Sequence, residues 1–528
     1  MGAIQSSYDV VIVGGGHNGL VSACYLARAG MSVLVAERNP ELGGASQSRQ
    51  AFEGLDARLS VYSYLISLFP EKIAADLGLD LQLISRRTAS WTPAITGGDW
   101  RELLIRNGDD EANREAFVRL TGSTRDYHGF LKLQELQEEL AAVVWPSLIE
   151  PLMSKEAMAS KFDTPSGKGA WKSLIEEPIG NAIEGLIDDD LIRGLVFTDG
   201  KIGISTTPHD PSLLQNRCFL YHIIGRGTGE WRVPVGGMGS LIAELQRVAT
   251  ATGNVDFATR TEALKIESDA SGCSVALDLD GTRHEVDSRF ILCNASAEVL
   301  DDLTGQGDQD APRAIEGAGF KINMLLERLP GLRSRQCTPP DAFAGTFHID
   351  EGYEQMQHSH AQSMAGEIPD RPPGEIYCHT LSDRSILSPE LDQRGFQTLT
   401  LFGLDMPYRL FEQDDGSVRE AVVEKYLAGI NQFLEEPIEG CLARDSHAAP
   451  CIEAMSAKDL EEKLRLPKGN IFHGDLSWPF ADSTEELGTW GVETADPRIL
   501  LCGSAARRGG AVSGIPGHNA AMKVLELR

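Results

Sequence analysis

The sequence predicts an α/β protein built around a parallel sheet, and three features near its N-terminal end support this fold class. Tyr8–Val13 is a short apolar, β-branched run of the kind that is buried on both faces of a parallel sheet. A glycine-rich turn follows, and apolar side chains then recur at helical spacing from about His17 to Ala29. Met31–Ala36 repeats the strand pattern, so the order of elements predicts a βαβ unit.

The turn of this unit has the spacing typical of a dinucleotide site. Gly14, Gly16 and Gly19 form a G-x-G-x-x-G pattern, which lets the backbone approach a pyrophosphate at the N-terminus of the helix. Glu37 ends the second strand, near the offset of roughly 20 residues at which an acid hydrogen-bonds a ribose hydroxyl. With 54 glycines among 528 residues the glycines alone prove little, so the prediction depends on the strand and helix context. A purely structural βαβ unit is the alternative.

Composition limits the remaining classes of function. A chain of 528 residues exceeds one core, so two or more domains are expected. The net charge of −29 argues against a nucleic-acid partner and against anionic membrane surfaces. The nine cysteines include no C-x-x-C pair, so neither a disulfide framework, a zinc ribbon nor a disulfide reductase is supported. We expect a cytoplasmic protein without a metal site, a secretory signal or a transmembrane segment.

The middle of the chain predicts a helical region followed by mixed elements. From about Asp99 to Asp190 the apolar residues recur at helical spacing, which predicts a helical cap. Its acidic residues are expected to form a solvated face. Phe219–Ile224 is predicted as a strand, and Gly225–Gly229 as a loop because Glu230 occupies the place of a third glycine. A helix is expected to open after Pro234 and to end near Thr250. Further strands are expected at Leu264–Ser268, Ser274–Leu279, Phe290–Asn294, Tyr377–Thr380 and Gln397–Gly403.

The C-terminal segment returns to the pattern of the first domain. Ile499–Cys502 predicts a strand, Gly503 and Ser504 a turn, and Gly514 to Leu527 a helix whose start faces the same ligand.

Together, the glycine motif, the E-x-x-x-E-L-G-G loop from Glu37 to Gly44 and the C-terminal segment resemble the cofactor-binding elements of the amine oxidase and phytoene dehydrogenase superfamily. The resemblance is strong at both ends of the chain and weak in the helical cap, and it is closest to a phytoene-dehydrogenase-like branch. It implies a Rossmann-type FAD-binding domain interleaved with a mixed α+β substrate domain that carries the cap. The implied FAD-binding segments are 1–95, 231–304 and 491–528, and the implied substrate segments are 96–230 and 305–490.

The resemblance also implies roles for individual residues around a non-covalent FAD. Gly14, Gly16 and Gly19 would hold the pyrophosphate, and Glu37, followed by Arg38, the adenosine end. Residues nearer the flavin would be Gly44 and Ala45, with Gly503 and Ser504 at the ribityl phosphate and the backbone N–H groups of Val512 and Ser513 at a flavin carbonyl. Covalent attachment is not expected, because Cys502 lies in the predicted buried strand.

The function implied by the resemblance is FAD-dependent oxidation, either desaturation or flavin-mediated isomerisation, at a C–C bond of an apolar small molecule, with isoprenoids as one class. An amine or amino-acid oxidase and a flavin-binding protein without turnover are the alternatives. No catalytic side chain is identified, because flavin itself accepts hydride; the pocket candidates are His209, Tyr221, His222 and Arg508. Peripheral membrane contact and the oligomeric state stay open.

Overall fold

The computed structural model describes residues 4–306 and 315–528. Its strands are β1 (Ser7–Val13), β2 (Val33–Glu37), β3 (Ser48–Phe52), β4 (Leu55–Ser60), β5 (Leu83–Ile84), β6 (Thr88–Thr96), β7 (Asp99–Arg106), β8 (Val233–Pro234), β9 (Val255–Thr259), β10 (Thr261–Ser268), β11 (Cys273–Leu279), β12 (Thr282–Cys293), β13 (Phe320–Leu326), β14 (Thr346–Ile349), β15 (Gly374–Tyr377), β16 (Gln397–Gly403), β17 (Ile452–Met455) and β18 (Ile499–Leu501).

The helices fall into three groups along the chain. Two precede β5, seven lie between β7 and β8, and the rest alternate with later strands. They are α1 (His17–Arg28), α2 (Glu71–Leu77), α3 (Asp110–Thr121), α4 (Arg125–Ser147), α5 (Lys155–Ala159), α6 (Pro165–Trp171), α7 (Ile179–Leu186), α8 (Asp190–Phe197), α9 (Leu214–Ile223), α10 (Gly239–Ala251), α11 (Ala297–Thr304), α12 (Pro339–Phe343), α13 (Tyr353–Met364), α14 (Pro389–Gln393), α15 (Asp415–Asn431), α16 (Ala457–Leu464) and α17 (Ile515–Leu527).

The first sheet carries the βαβ unit at its centre. Strands β18, β12, β1, β2 and β9 run parallel in that order, and β10 and β11 extend the N-terminal half of β12 as an antiparallel meander. Side chains of β1 alternate between two cores: Val10 and Ile12 pack with α1, whereas Val11 and Val13 pack on the opposite face. Burial on both faces explains why this strand is continuously apolar from Val10 to Val13.

The second sheet has the order β17-β13-β16-β15-β14-β6-β7 and is antiparallel except for the parallel pair of β14 with β6. Its core is rich in aromatic side chains, such as Trp91 against Phe347. Helices α3 to α9 form a separate layer with its own apolar core. A buried ion pair joins this layer to the second sheet, because Lys201 Nζ lies 2.7 Å from Asp405 Oδ1 after β16 and neither side chain is exposed.

Several predicted elements are confirmed with small shifts of their ends. These are the first strand, helix and second strand, the helix after Pro234, the meander strands, Gln397–Gly403 and the C-terminal strand and helix. Gly225–Gly229 forms a loop with a 3₁₀ turn, as expected.

Three predictions are wrong. Phe219–Ile224 belongs to α9; this run is buried all round, and periodicity cannot separate such a helix from a strand. Asp99–Arg106 is strand β7 rather than the start of the helical cap, since Gly97 and Gly98, with φ of 61° and 91°, close a two-residue hairpin with β6. The strand predicted at Tyr377–Thr380 ends at Tyr377. Strand β6, most of which lies within the expected FAD-binding segment 1–95, pairs in the second sheet.

Candidate functional site: a dinucleotide groove that opens into an enclosed chamber

One cavity of about 730 Å³ is lined by both sheets and by the helical layer. At one end its walls are the turn between β1 and α1 and the loop after β2. At the other end its walls come from α3, α4, α8 and α9 and from strands of the second sheet. We call these two parts the dinucleotide end and the chamber.

The glycine turn at the dinucleotide end is fixed by backbone geometry. Gly14 has a φ of +100°, a conformation that favours glycine, and its N–H donates to the Ala36 carbonyl at 2.8 Å. Its own carbonyl accepts from Asn294 Nδ2 at 3.1 Å. Asn294 directly follows β12, so the turn is held between the ends of two neighbouring parallel strands.

Glu37 closes the same turn from the other side. Its Oε2 accepts from the Gly15 N–H and its Oε1 from the Asn39 N–H, both at 2.8 Å. The residue is 6% exposed and lines the cavity. Its carboxylate therefore organises the glycine turn, in addition to the contact with ribose that the sequence predicts.

Unpartnered polar atoms test whether a dinucleotide fits this end. His17 Nε2, Asn18 Oδ1 and His473 Nδ1 are buried without a hydrogen-bond partner in the part of the chain that the structure describes, and all three residues line the cavity. His17 and Asn18 begin α1, whose N-cap residue Gly16 offers no side-chain cap. A helix N-terminus with free donors favours an anion, so the residues present fit the pyrophosphate of FAD.

The other predicted cofactor residues divide into two groups. Arg38, Gly44, Ala45, Ser504 and Val512 line the cavity. Gly19, Gly503 and Ser513 do not line it.

The two glycines of the second group serve close packing behind the groove. A Cβ at Gly19 would lie 2.5 Å from the Gly14 carbonyl oxygen, and one at Gly503 would lie 2.7 Å from that of Asn294. Ser513 Oγ accepts from the Ile515 N–H at 3.3 Å at the start of α17.

Of the four pocket candidates, only His222 lines the cavity. His209 is exposed and pairs with Glu184 through its Nε2 at 2.8 Å. The Tyr221 hydroxyl donates to the Ser477 carbonyl at 3.0 Å, away from the cavity. Arg508 is 1% exposed, and its guanidinium donates to the carbonyls of Ser147, Glu150 and Trp490, so it ties loops together. We therefore retain only His222.

His222 presents a neutral imidazole to the chamber. Burial lowers its pKa to about 4. Its Nδ1 lies 2.7 Å from the Cys218 carbonyl oxygen, which can only accept, so Nδ1 carries the proton and Nε2 is left as an acceptor. The ring stacks on Trp231 at 5.5 Å between centroids.

Sequence reasoning missed a group of polar side chains in the chamber. Arg86, Tyr64, Glu375 and Tyr377 line it together, and the rings of the two tyrosines lie 4.6 Å apart. The Tyr377 hydroxyl donates to Glu375, and the Arg86 guanidinium lies 5.7 Å from the Tyr377 ring centroid. No motif marks these residues, because Tyr64, Arg86 and the pair on β15 come from three separate segments of the chain.

Two further carboxyl groups, Asp199 and Glu351, accompany Glu375 in this region. Burial raises the pKa of Asp199 to about 8 and that of Glu375 to about 7, and it raises the pKa of Glu351 well above its ordinary value. His348, Glu351 and Glu375 place one ligand-type atom each within 4.8 Å of one another. His348 already hydrogen-bonds Glu351, and the positive charge of Arg86 acts on the same groups, so we assign no metal to them.

The rest of the chamber wall mixes apolar side chains with polar ones such as Arg106, Asp110, Gln134 and Gln137. Aromatic and aliphatic side chains of the helical layer predominate, with further contributions from the second sheet and the loop after α16. They are Phe117, Tyr127, Phe130, Leu131, Leu133, Leu195, Val196, Ile202, Phe219, Phe402, Ile471 and Phe472.

Comparison with known proteins supports the same interpretation. The family described as NAD(P)-binding Rossmann-like domain matches residues 12–71. An uncharacterised protein of Mycobacterium tuberculosis is 45% identical over 98% of this chain and 97% of its own length. Pyridine nucleotide-disulfide oxidoreductase domain-containing protein 2 of Mus musculus is 29% identical over 98% of this chain and 94% of its own length.

Two further similarities are more distant or shorter. Carotenoid 3,4-desaturase of Haloarcula japonica is 41% identical over 139 residues, which are 26% of this chain and 28% of that protein. A variant of putrescine oxidase has a TM-score of 0.56 at 17% identity, with 99% of each chain covered, so the likeness concerns the fold.

Fold and site define a flavoprotein of the oxidoreductase class with FAD as its cofactor. The chain belongs to the amine oxidase and phytoene desaturase superfamily, in the branch that contains pyridine nucleotide-disulfide oxidoreductase domain-containing protein 2. Among the described residues, no helix combines the length and the apolar character needed to cross a membrane.

Proposed function

We propose that this protein oxidises or isomerises a C–C bond of an apolar substrate of isoprenoid type. The observation that carries the proposal is the continuity of one cavity from the dinucleotide end into a chamber walled by aromatic and aliphatic side chains. Such a wall binds hydrocarbon by removing apolar surface from water. The similarity of one segment to a carotenoid desaturase supports the same substrate class.

FAD, when bound, supplies an acceptor for hydride. The residues of the chain provide positioning and insulation. The glycine turn, the start of α1 and Glu37 would hold the adenosine and pyrophosphate parts. Phe130, Leu131 and Leu195 would exclude water from the reacting bond.

Desaturation removes two hydrogens from adjacent carbons, one as hydride and one as a proton. The chamber must therefore offer a proton acceptor. We assign this role to His222 Nε2, because the imidazole is neutral and its Nδ1–H is already bound to the Cys218 carbonyl. The same nitrogen can return the proton when a double bond is moved rather than formed.

Anaerobic mixing of the purified holoprotein with a panel of polyenes and smaller isoprenoid hydrocarbons tests the proposal. We expect at least one member to bleach the visible absorption of the flavin in a single turnover. If no member of the panel reduces the oxidised flavin and none is isomerised by the protein with reduced flavin, the proposal fails and the alternative of a flavin-binding protein without turnover gains support.

Amine oxidation is the second candidate, since a putrescine oxidase shares the fold and the carboxyl groups of Asp199 and Glu375 line the chamber. The fixed positive charge of Arg86 at the same place disfavours an ammonium group. Peroxide release with amines but not with hydrocarbons would decide for this candidate.

A further inference from the structure

Arg86 is a partly buried cation whose charge is not met by a contacting anion. Its NH1 donates to Thr346 Oγ1 at 3.0 Å, whereas its Nε has no hydrogen-bond partner within residues 4–306 and 315–528. Among these residues Arg86 forms no salt bridge, although the charges of Glu375 and Glu230 act on it from a greater distance. A guanidinium stays charged inside proteins, and burying such a charge without a partner is costly.

Arg86 lines the chamber with part of its side chain. The residue keeps intermediate accessible surface although protein surrounds it, because it borders the empty space of the cavity. The ring of Tyr377 lies 5.7 Å from the guanidinium carbon, so one face of the group is covered while its Nε edge is unpaired.

The nearby carboxyl groups do not neutralise this charge by contact. Glu375 is engaged by the Tyr377 hydroxyl and Glu351 by the His348 ring. Burial raises the pKa of Glu375 to about 7 and that of Asp199 to about 8, so neither carries a full negative charge at neutral pH. The chamber wall therefore combines many apolar side chains with Arg86, a second arginine, Arg106, and polar residues such as Asp110 and Gln137.

We propose that Arg86 binds an anionic oxygen group, a carboxylate or a phosphate, at one end of the otherwise apolar substrate. The inference rests on the proposed function for the apolar part of that substrate. A guanidinium can hold such a group through two parallel N–H···O bonds, which fixes one end of the molecule and thereby sets which C–C bond meets the reactive end of the cavity.

Four ligands that share one isoprenoid chain test the proposal: geranate, geranyl phosphate, geraniol and geranylamine. Their binding to the FAD-loaded protein is measured by titration calorimetry. We expect at least one of the two anions to bind about tenfold or more tightly than geraniol. The ratio between geranate and geranyl phosphate identifies which of the two head groups the site takes.

Variants at two adjacent arginines show whether Arg86 causes the preference. Arg86→Met should remove most of the advantage of the anions, and Arg86→Lys should retain part of it because it keeps the charge without the fork. Arg87→Met is the matched control, since Arg87 is exposed and pairs with Asp341 at 3.2 Å outside the cavity. Bound FAD per protein, read from the visible spectrum, shows that each variant is folded.

The proposal is overturned if geraniol or geranylamine binds as tightly as the anions, if none of the four binds, or if Arg86→Met and Arg86→Lys bind the anions like Arg87→Met. Flavin bleaching is recorded separately. Bleaching by neutral hydrocarbons without an anion preference would reject this inference and leave the proposed function standing. Binding of anions that depends on Arg86, without bleaching by any substrate, would reject the proposed function and leave this inference standing.

Discussion

The carboxylate of Glu37 and the backbone N–H of Gly15 form a hydrogen bond of 2.8 Å that ties the end of β2 to the glycine turn after β1. Gly15 has no room for a side chain, because a Cβ there would lie 2.5 Å from Leu42 Cδ2 and 3.2 Å from Glu37 Cβ. The acid at the end of the second strand thus shapes the turn as well as the adenosine end of the site.

Replacing Glu37 by glutamine should weaken FAD binding about tenfold, because only one atom of the amide can accept and either the Gly15 or the Asn39 contact is lost. Titration of the apoprotein with FAD, followed by flavin fluorescence, measures the dissociation constant. Glu53→Gln is the control, since Glu53 is exposed on the surface. Equal affinity in both variants would show that the carboxylate is not needed.

The double change Gly14→Val and Gly16→Val should abolish FAD retention. Gly14 has a φ of +100°, and a Cβ at Gly16 would lie 3.0 Å from Asn294 Nδ2. The visible spectrum of the purified variant gives its flavin content. Gly185→Val on α7 is the control, and it should keep its FAD because a Cβ at this position has no atom within 4 Å. Normal flavin content in the double variant would refute the assignment of the pyrophosphate site.

His222→Gln should slow substrate-driven flavin reduction about a hundredfold while bound FAD stays unchanged. The wild-type rate should be independent of pH above about 5 and should fall as the pH approaches 4, because burial lowers the pKa of His222 to about 4 and protonation removes the acceptor. Anaerobic stopped-flow absorbance measures the rate. His209→Gln, at an exposed site, should keep the full rate. A similar rate in both variants would exclude His222 as the proton acceptor.

Loss of the proton from Asp199 should lower the free energy of unfolding as the pH rises from 6.5 to 8. Its pKa is about 8 in the folded protein and near 3.8 when unfolded, so within this range the folded state holds the extra proton. The free energy of unfolding then falls with rising pH by at most about 1.4 kcal/mol per pH unit from this group. Urea unfolding of the holoprotein across this range should show a smaller fall in Asp199→Asn. An identical pH dependence would mean that Asp199 is ionised in the folded protein.

Lys201→Met should reduce the free energy of unfolding by about 3–5 kcal/mol, because Asp405 would remain as an unpaired buried charge. The double variant Lys201→Met with Asp405→Leu should recover part of this loss. Lys132→Met removes an exposed pair with Glu135 and should change the stability by less than about 1 kcal/mol. Equal losses in the two single lysine variants would contradict the burial of the Lys201 pair.

Local elements were predictable where contiguous residues carry the signal. The β1 to β2 unit, with Gly14, Gly16 and Glu37, was readable because strand, turn, helix and acid follow one another at fixed spacing. Prediction failed where a short apolar run was compatible with either a helix or a strand. The run Phe219–Ile224 is buried all round and so has no polar face to show its helical period.

The sequence by itself determined the class of protein, because both ends of the chain carry motifs whose residues act within one turn or one strand end. The tertiary structure decided what the chamber contains. Arg86, Glu375 and His222 lie in separate segments without a shared motif, and they meet only because the second sheet and the helical layer close around one cavity. The tertiary structure also excludes His209 and Arg508 as pocket residues. Their exposure and hydrogen-bond partners depend on contacts between residues that are far apart in the chain.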